Sequence, residues 1–227
     1  MGGKKNDAQS TRTAKVLVVD DHPAIREALR VRMARAPDLD VCGEAEDFAG
    51  ALRLLDSEKP DVMIVDISLK SGDGIDLIKH IKLRDPRVRM LVWSMHSENI
   101  YAERALRAGA QGYITKEQAT DQIVDAVRQV LAGKIYLSRT MTERLLHRAA
   151  TGGVNGLAAD PVDVLSDREL EVFRRLGQGQ KARVIAEELH LSVKTVETYR
   201  DRIRRKLELP KGSDLVHYAL QWSLEKR

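Results

Sequence analysis

The segment Val16-Leu17-Val18-Val19-Asp20-Asp21 decides how the first half of the chain is read, because four consecutive apolar residues stop abruptly at two acids. Two later segments have the same shape: Val62-Met63-Ile64-Val65 ends at Asp66, and Met90-Leu91-Val92-Trp93 ends at Ser94. Runs this short that are apolar at every position suit parallel strands covered on both faces. Val41-Cys42 and Tyr113-Ile114 are weaker strand candidates. Between the candidates lie segments of helical spacing: Phe48, Ala51, Leu52 and Leu55 recur at i, i+3, i+4, i+7, as do Ile123, Ala126, Val127 and Val130. Pro23 suits a first helical turn, Asp47 and Thr120 suit N-caps, and Pro37 and Pro60 follow helix ends. Five βα repeats predict an α/β fold built on a doubly wound, five-stranded parallel sheet.

Outward from that core, composition narrows the function classes. The 227 residues carry 38 Lys and Arg against 34 Asp and Glu, a formal charge of only +4, so a nucleic-acid face has to be local. The single cysteine, Cys42, excludes an internal disulfide and a thiolate zinc cluster, which points to a reducing cytosol. No apolar run is long enough to span a membrane. The polar, basic start of the chain is neither a secretory signal nor a myristoylation site, since Asn6 stands where that motif wants Ser or Thr. The domain reading is a disordered tail over 1–13, an α/β domain over 14–138, a linker over 139–162 and a small helical domain over 163–227. The linker carries Thr151-Gly152-Gly153-Val154-Asn155-Gly156 and opens with one helix over Thr142 to Arg148.

Ligands of open parallel sheets bind beyond the carboxyl ends of the strands, at the switch point of strand order. Asp20, Asp21 and Asp66 converge there. An acid at a strand end is often only a helix cap, but Asp20, Asp21, Asp66, Ser94 and Lys116 mark the ends of four different strands. Three carboxylates repel unless a hard cation sits among them, and oxygen ligands of this kind suit Mg²⁺. A carboxylate nucleophile, a metal, a hydroxyl and an ammonium are the parts for accepting a phosphoryl group.

The residues Val-Val-Asp20-Asp21-His-Pro, Ile-Val-Asp66-Ile-Ser-Leu-Lys, Trp-Ser94-Met-His and Gly-Tyr113-Ile-Thr-Lys116 resemble the receiver domain of two-component response regulators, over about residues 14–133. The resemblance implies a flavodoxin-like sheet of order 2-1-3-4-5 and Asp66 as phosphoacceptor. It also implies Mg²⁺ held by Asp20, Asp21, Asp66 and the backbone carbonyl of Ser68, and Ser94 and Lys116 on the phosphoryl group. Tyr113 would be the aromatic switch that turns inward when Ser94 moves. Lys70 and Glu117 stand where many receivers carry Pro.

Further along, Ser166-Asp167-Arg168-Glu169 reads as a capping box. Residues Ala182 to Ile203 then read as a short helix, a tight turn and a longer helix capped by Ser192. Val193, Val196, Tyr199 or Arg200, and Ile203 are expected to face the core. From Lys194 to Lys206 there are six cations (Lys194, Arg200, Arg202, Arg204, Arg205, Lys206) and two acids (Glu197, Asp201). A cationic helix led by a shorter one is the geometry that enters the major groove of DNA. Leu165-Ser-Asp-Arg-Glu-Leu-Glu-Val, Ile185-Ala-Glu-Glu-Leu and Ser192-Val-Lys-Thr-Val-Glu-Thr-Tyr-Arg resemble the LuxR-type helix-turn-helix, over about 163–225. That resemblance implies a DNA-facing set of Lys194, Thr195, Glu197, Thr198 and Asp201, with Arg200, Arg202 and Arg205 toward the phosphate backbone. Leu215, Tyr218, Ala219 and Trp222 form a stripe that either packs on its own domain or forms a dimer contact.

Taken together, the resemblance implies a response regulator of the NarL/FixJ type and not an enzyme. A sensor histidine kinase would phosphorylate Asp66, and the chain would bind double-stranded DNA as a homodimer. Two rivals follow from the same residues. One is a phosphatase with an aspartyl-phosphate intermediate, which would want an acid where Ser68 stands. The other is a phosphorylation-independent DNA-binding protein whose receiver serves only to dimerise.

Overall fold

A computed structural model describes residues 12–69, 72–117, 122–150 and 161–225. The expected tail up to residue 11, the Thr120 cap, Lys70 and the linker stretch 151–160 lie outside the described residues. The chain divides into two compact units, Met1–Thr142 and Glu143–Arg227.

In the first unit, strands β1 (Ala14–Val19), β2 (Leu39–Ala45), β3 (Val62–Val65), β4 (Arg89–Ser94) and β5 (Gly112–Thr115) form one parallel sheet of order β2-β1-β3-β4-β5. Helices α1 (Pro23–Met33), α2 (Phe48–Glu58), α3 (Gly74–Arg84), α4 (Glu98–Ala108) and α5 (Gln122–Leu131) alternate with the strands. The fold class and strand order are those expected. Val16, Val18, Ile64, Leu91 and Trp93 pack with Leu29, Met33, Ile123, Val127 and Val130 in one buried cluster. The alternating residues Leu17, Val19, Met63, Val65, Met90 and Val92 are equally buried on the opposite face, which is why these strands lack a polar side.

β2 was faint in sequence for a structural reason. Its register against β1 slips between Val16 and Leu17, leaving Cys42 as the extra residue, and Asp40 and Glu44 face solvent. Beyond β5, Tyr136 makes a single parallel bridge to Gly112, with the Tyr113 N–H donating to the Tyr136 carbonyl at 2.9 Å.

Helices α2 and α3 start at side-chain caps. Asp47 accepts from the Gly50 N–H, and Asp73 accepts from the Ile75 and Asp76 N–H groups. Helix α6 spans Arg139–Ala150, longer at both ends than expected. Ser138 Oγ accepts from the Met141 N–H at 3.1 Å, and this cap moves the start forward.

The second unit holds a 3₁₀ turn at Pro161–Val164, then α7 (Asp167–Gly177), α8 (Ala182–Glu188), α9 (Val193–Lys206) and α10 (Gly212–Glu225). The Ser166/Glu169 capping box forms in both directions, and Ser192 Oγ accepts from the Thr195 N–H at 3.0 Å. Phe173, Ile185, Val196, Ile203, Leu215, Ala219 and Trp222 make the core. One expectation changes, and of two alternatives one is met. Val193 is exposed rather than in the core, because it opens α9 one turn ahead of Val196 and Ile203, which alone on that helix are buried. Leu215, Ala219 and Trp222 are buried within their own unit, with the Phe173 ring against both Tyr218 and Trp222. They are therefore core residues and not an open dimer surface; the exposed apolar residues of α10 are Val216, Leu220 and Leu224.

Candidate functional site

Register brings the predicted acids together. The Asp66 N–H donates to the Val19 carbonyl at 2.9 Å, extending the β1–β3 ladder one residue past the strands and setting Asp66 beside Asp20. On the other side the Lys116 N–H donates to the Ser94 carbonyl at 2.8 Å. The strand order reverses between β1 and β3, so the pocket lies at the switch point.

Asp20, Asp21 and Asp66 are each more than nine-tenths buried, at 2%, 6% and 3% exposure. Lys116 Nζ donates to Asp20 Oδ2 at 2.5 Å and to Asp66 Oδ2 at 2.7 Å. Burial disfavours the ammonium, but Asp66 and Asp20 outweigh it and hold the Lys116 pKa above its ordinary value. One ammonium against three carboxylates leaves the cluster in excess of negative charge. Asp20 Oδ1 accepts from the His22 N–H and Asp66 Oδ1 from the Ser68 N–H. Asp21 Oδ1 is buried and accepts no hydrogen bond of good geometry, its one close polar neighbour among the described residues being His22 Nδ1 at 2.7 Å. A buried, under-neutralised group of hard oxygen donors fits Mg²⁺.

Residues with no assigned role in sequence complete the rim. Oxygen and nitrogen ligand atoms of Asp20, Asp21, Asp66 and also His22 lie within 4.8 Å of one another. Arg26 Nη1 donates to the Asp20 carbonyl at 2.7 Å, while its Nε faces Glu44 at 3.3 Å, tying the acidic loop to α1 and β2. At the mouth, Ser68 Oγ and His96 Nε2 lie 2.5 Å apart. The signal for His22 and His96 was their place inside the quoted segments; for Arg26 there was none.

Ser94 is fully buried, and its Oγ accepts from the His96 N–H at 3.3 Å. Tyr113 is already inward: its ring is buried and its hydroxyl donates to the His96 carbonyl at 2.9 Å. Burial, with Tyr101 beside it, pushes the Tyr113 hydroxyl well above its ordinary pKa, so it stays a donor.

In the second unit, α9 exposes Lys194, Glu197, Thr198, Asp201, Arg202 and Arg205, while Thr195 and Arg200 are half-buried. Arg200 pairs with Glu197 at 2.8 Å, and Arg205 with Asp201 at 2.9 Å. Lys194 and Arg202 have no ion pair among the described residues. Lys206, counted with the cationic face in sequence, reaches back 2.6 Å to the buried carboxylate of Glu169. It anchors the end of α9 to the start of α7.

Comparisons with known proteins agree with both halves. Residues 16–128 match the response regulator receiver domain, and residues 163–219 match the bacterial regulatory proteins of the luxR family. The oxygen regulatory protein NreC of Staphylococcus carnosus is 34% identical over 213 residues, covering 92% of this chain and 98% of that protein. RcsB of Salmonella enterica serovar Typhimurium, solved bound to promoter rprA with the phosphomimetic BeF3-, superposes with a TM-score of 0.58 at 26% identity, covering 92% of this chain and 98% of that one. A LuxR-family two-component response regulator from Aurantimonas sp. SI85-9A1 gives 0.57 at 34% identity, covering 61% of this chain and 99% of that one.

Proposed function

This chain belongs to the response regulators that join a receiver domain to a LuxR-type helix-turn-helix domain, and from that premise we propose a DNA-binding transcriptional regulator controlled by phosphorylation of Asp66. A sensor histidine kinase in the cytoplasm is the donor. An Asp66 carboxylate oxygen forms the new bond to phosphorus while the bond to the donor nitrogen breaks, and the nitrogen keeps the electron pair. Asp20, Asp21, Asp66 and the Ser68 carbonyl would hold Mg²⁺, which when bound offsets phosphoryl charge.

Lys116, now shared between Asp20 and Asp66, is placed to follow the charge onto the phosphoryl oxygens. The Ser94 hydroxyl lies at the end of the neighbouring strand, where it can donate to the same group. Its movement is communicated through His96, whose N–H it accepts and whose carbonyl holds Tyr113. Phosphorylation then shifts an existing equilibrium between receiver states, favouring a homodimer that presents two α9 helices to paired half-sites. The chain acts stoichiometrically and does not turn over a substrate.

The observation that carries this reading is the under-neutralised trio of buried acids gathered around the buried Lys116 ammonium. One observation favours a second reading, a regulator that dimerises and binds DNA without phosphorylation: Tyr113 is inward already. Molecular mass and binding to promoter fragments, with and without Mg²⁺ plus a phosphodonor, separate the two. The first reading expects a gain in dimer and DNA affinity for the native chain and none for Asp66→Asn. Equal binding in all four conditions supports the second.

A further inference from the structure

The chain that follows α5 turns back along β5. The Tyr136 N–H donates to the Gln111 carbonyl at 2.9 Å, and the Tyr136 carbonyl accepts from the Tyr113 N–H at 2.9 Å, so this segment moves with the strand that carries Tyr113. Gly112 permits the approach: a Cβ there would stand 3.0 Å from the Tyr136 carbonyl oxygen and 3.1 Å from the Tyr136 Cβ. Farther on, Ser138 caps α6, its Oγ accepting from the Met141 N–H at 3.1 Å and its carbonyl from the Thr142 N–H at 2.9 Å. The Ser138 N–H points away from α6 and donates to Glu98 Oε1 at 2.8 Å, across 40 positions of sequence. Glu98 opens α4, and α4 starts without the side-chain cap that fixes the first turns of α2 and α3.

These bonds close a ring. Ser94 Oγ accepts from the His96 N–H, the His96 carbonyl accepts from the Tyr113 hydroxyl, Tyr113 is bonded to Tyr136, and Ser138 returns through Glu98 to the residues just after His96. A shift of the β4–α4 loop against β5 therefore strains one of the side-chain links. The Tyr113 hydroxyl is buried and would lose its partner with no water to replace it, whereas Glu98 and Ser138 are half-buried and open to water. We propose that the Glu98–Ser138 hydrogen bond is a latch, closed in the unphosphorylated chain and opened when a phosphoryl group on Asp66 draws Ser94 and His96 toward it, which releases the first turn of α6. This rests on the reading of Asp66 as phosphoacceptor and of Ser94 as a donor to its phosphoryl group. Helix α6 spans Arg139–Ala150 and the boundary between the two compact units falls after Thr142, so the latch acts on the element that both units share. Coupling is reciprocal: if phosphoryl binding weakens the latch, the latch weakens phosphoryl binding by the same factor.

The test follows amide hydrogen exchange at Ser138 in the full chain, for the native protein, Glu98→Ala and Glu98→Gln, with and without Mg²⁺ plus beryllium trifluoride as the phosphoryl mimic. Glu98→Gln loses the negative charge at the start of α4 but keeps an oxygen that accepts, so it separates the bond from the stability of the helix. Emission of Trp93, whose ring centroid is 6.0 Å from Lys116 Nζ, reports mimic binding, with Asp66→Asn as the blank. In the native chain the mimic should speed Ser138 exchange by about tenfold or more, as loss of one hydrogen bond to a charged group does. Glu98→Ala should exchange that fast without the mimic, gain nothing further from it, and bind it roughly three- to tenfold more tightly, while Glu98→Gln keeps most of the native protection. Exchange at Ser138 that the bound mimic leaves unchanged, or mimic affinity unaltered by Glu98→Ala, would overturn the inference alone. A native chain whose Trp93 emission responds to the mimic no more than Asp66→Asn does would overturn it together with the phosphoryl reading beneath it.

Discussion

Replacing Gly74 by Ala tests whether Asp66, the proposed phosphoacceptor, is held by backbone packing. Gly74 opens α3, and its N–H donates to the Ile67 carbonyl at 3.0 Å. A Cβ there would stand 2.1 Å from the Asp66 carbonyl oxygen and 2.6 Å from Ile67 Cα, against 3.4 Å for ordinary contact. Both neighbours are backbone, so no side-chain rotation relieves the clash, and the start of α3 has to part from the end of β3 by roughly 1 Å. Overpacking of this kind costs about 1–3 kcal/mol, offset by at most about 1 kcal/mol of helix propensity. A net loss of about 2 kcal/mol lowers the melting temperature of a unit this size by roughly 5–10 °C. Displacing the nucleophile by about 1 Å can also slow phosphoryl uptake by up to about a hundredfold. Calorimetry and phosphoprotein gels after exposure to a small phosphodonor measure the two effects. Gly212→Ala, with nothing within 4 Å of the added carbon, is the control. A Gly74→Ala protein that melts and takes up phosphoryl like the native chain would refute the reasoning.

Three further outcomes are expected. Lys116→Met removes the ammonium that competes for Asp20 and Asp66, so Mg²⁺ affinity followed by Trp93 emission should rise by on the order of tenfold, while phosphodonor ceases to enhance DNA binding. Lys194→Ala and Arg202→Ala should each weaken DNA binding and lower the salt-dependence slope by about 1, measured by anisotropy across salt, whereas Lys206→Ala should leave the slope unchanged. Burial raises the Glu169 carboxyl, but hydrogen bonds from Lys206 and the Ser166 N–H outweigh it and hold the pKa below the ordinary value. A depressed folded value means this stabilisation is present above the unfolded carboxylate's titration and is lost as pH falls through the folded one. Urea melts between about pH 5 and 2 should therefore show the second unit losing stability, with a smaller loss in Lys206→Ala.

How far sequence reached depends on which force placed each residue. β1, β3 and β4 were legible because central strands must be apolar on both faces, and the acids were legible because they interrupt those runs. β2 was faint because a bulge and two outward acids break its pattern. The stripe Leu215, Tyr218, Ala219, Trp222 was visible, but periodicity does not say what covers a stripe; the Phe173 ring does. Lys206 belongs to the cationic run by sequence, but charge along a sequence does not reveal a partner 37 positions away. His22 and Arg26 act through loop geometry, which no spacing rule encodes.

The two flanks of the sheet carry a consequence for self-association. On one flank the Tyr136 segment covers the start of β5. On the other, β2 is kinked by its bulge and presents Asp40 and Glu44 to solvent. Neither flank offers a long flat row of unpaired amides to another molecule, so strand-to-strand polymerisation is discouraged at both ends. The homodimer proposed above would therefore pair through helical faces, whose contacts are made of side chains. Contacts of that kind would come apart readily as the proposed signal decays, and a continued sheet would not.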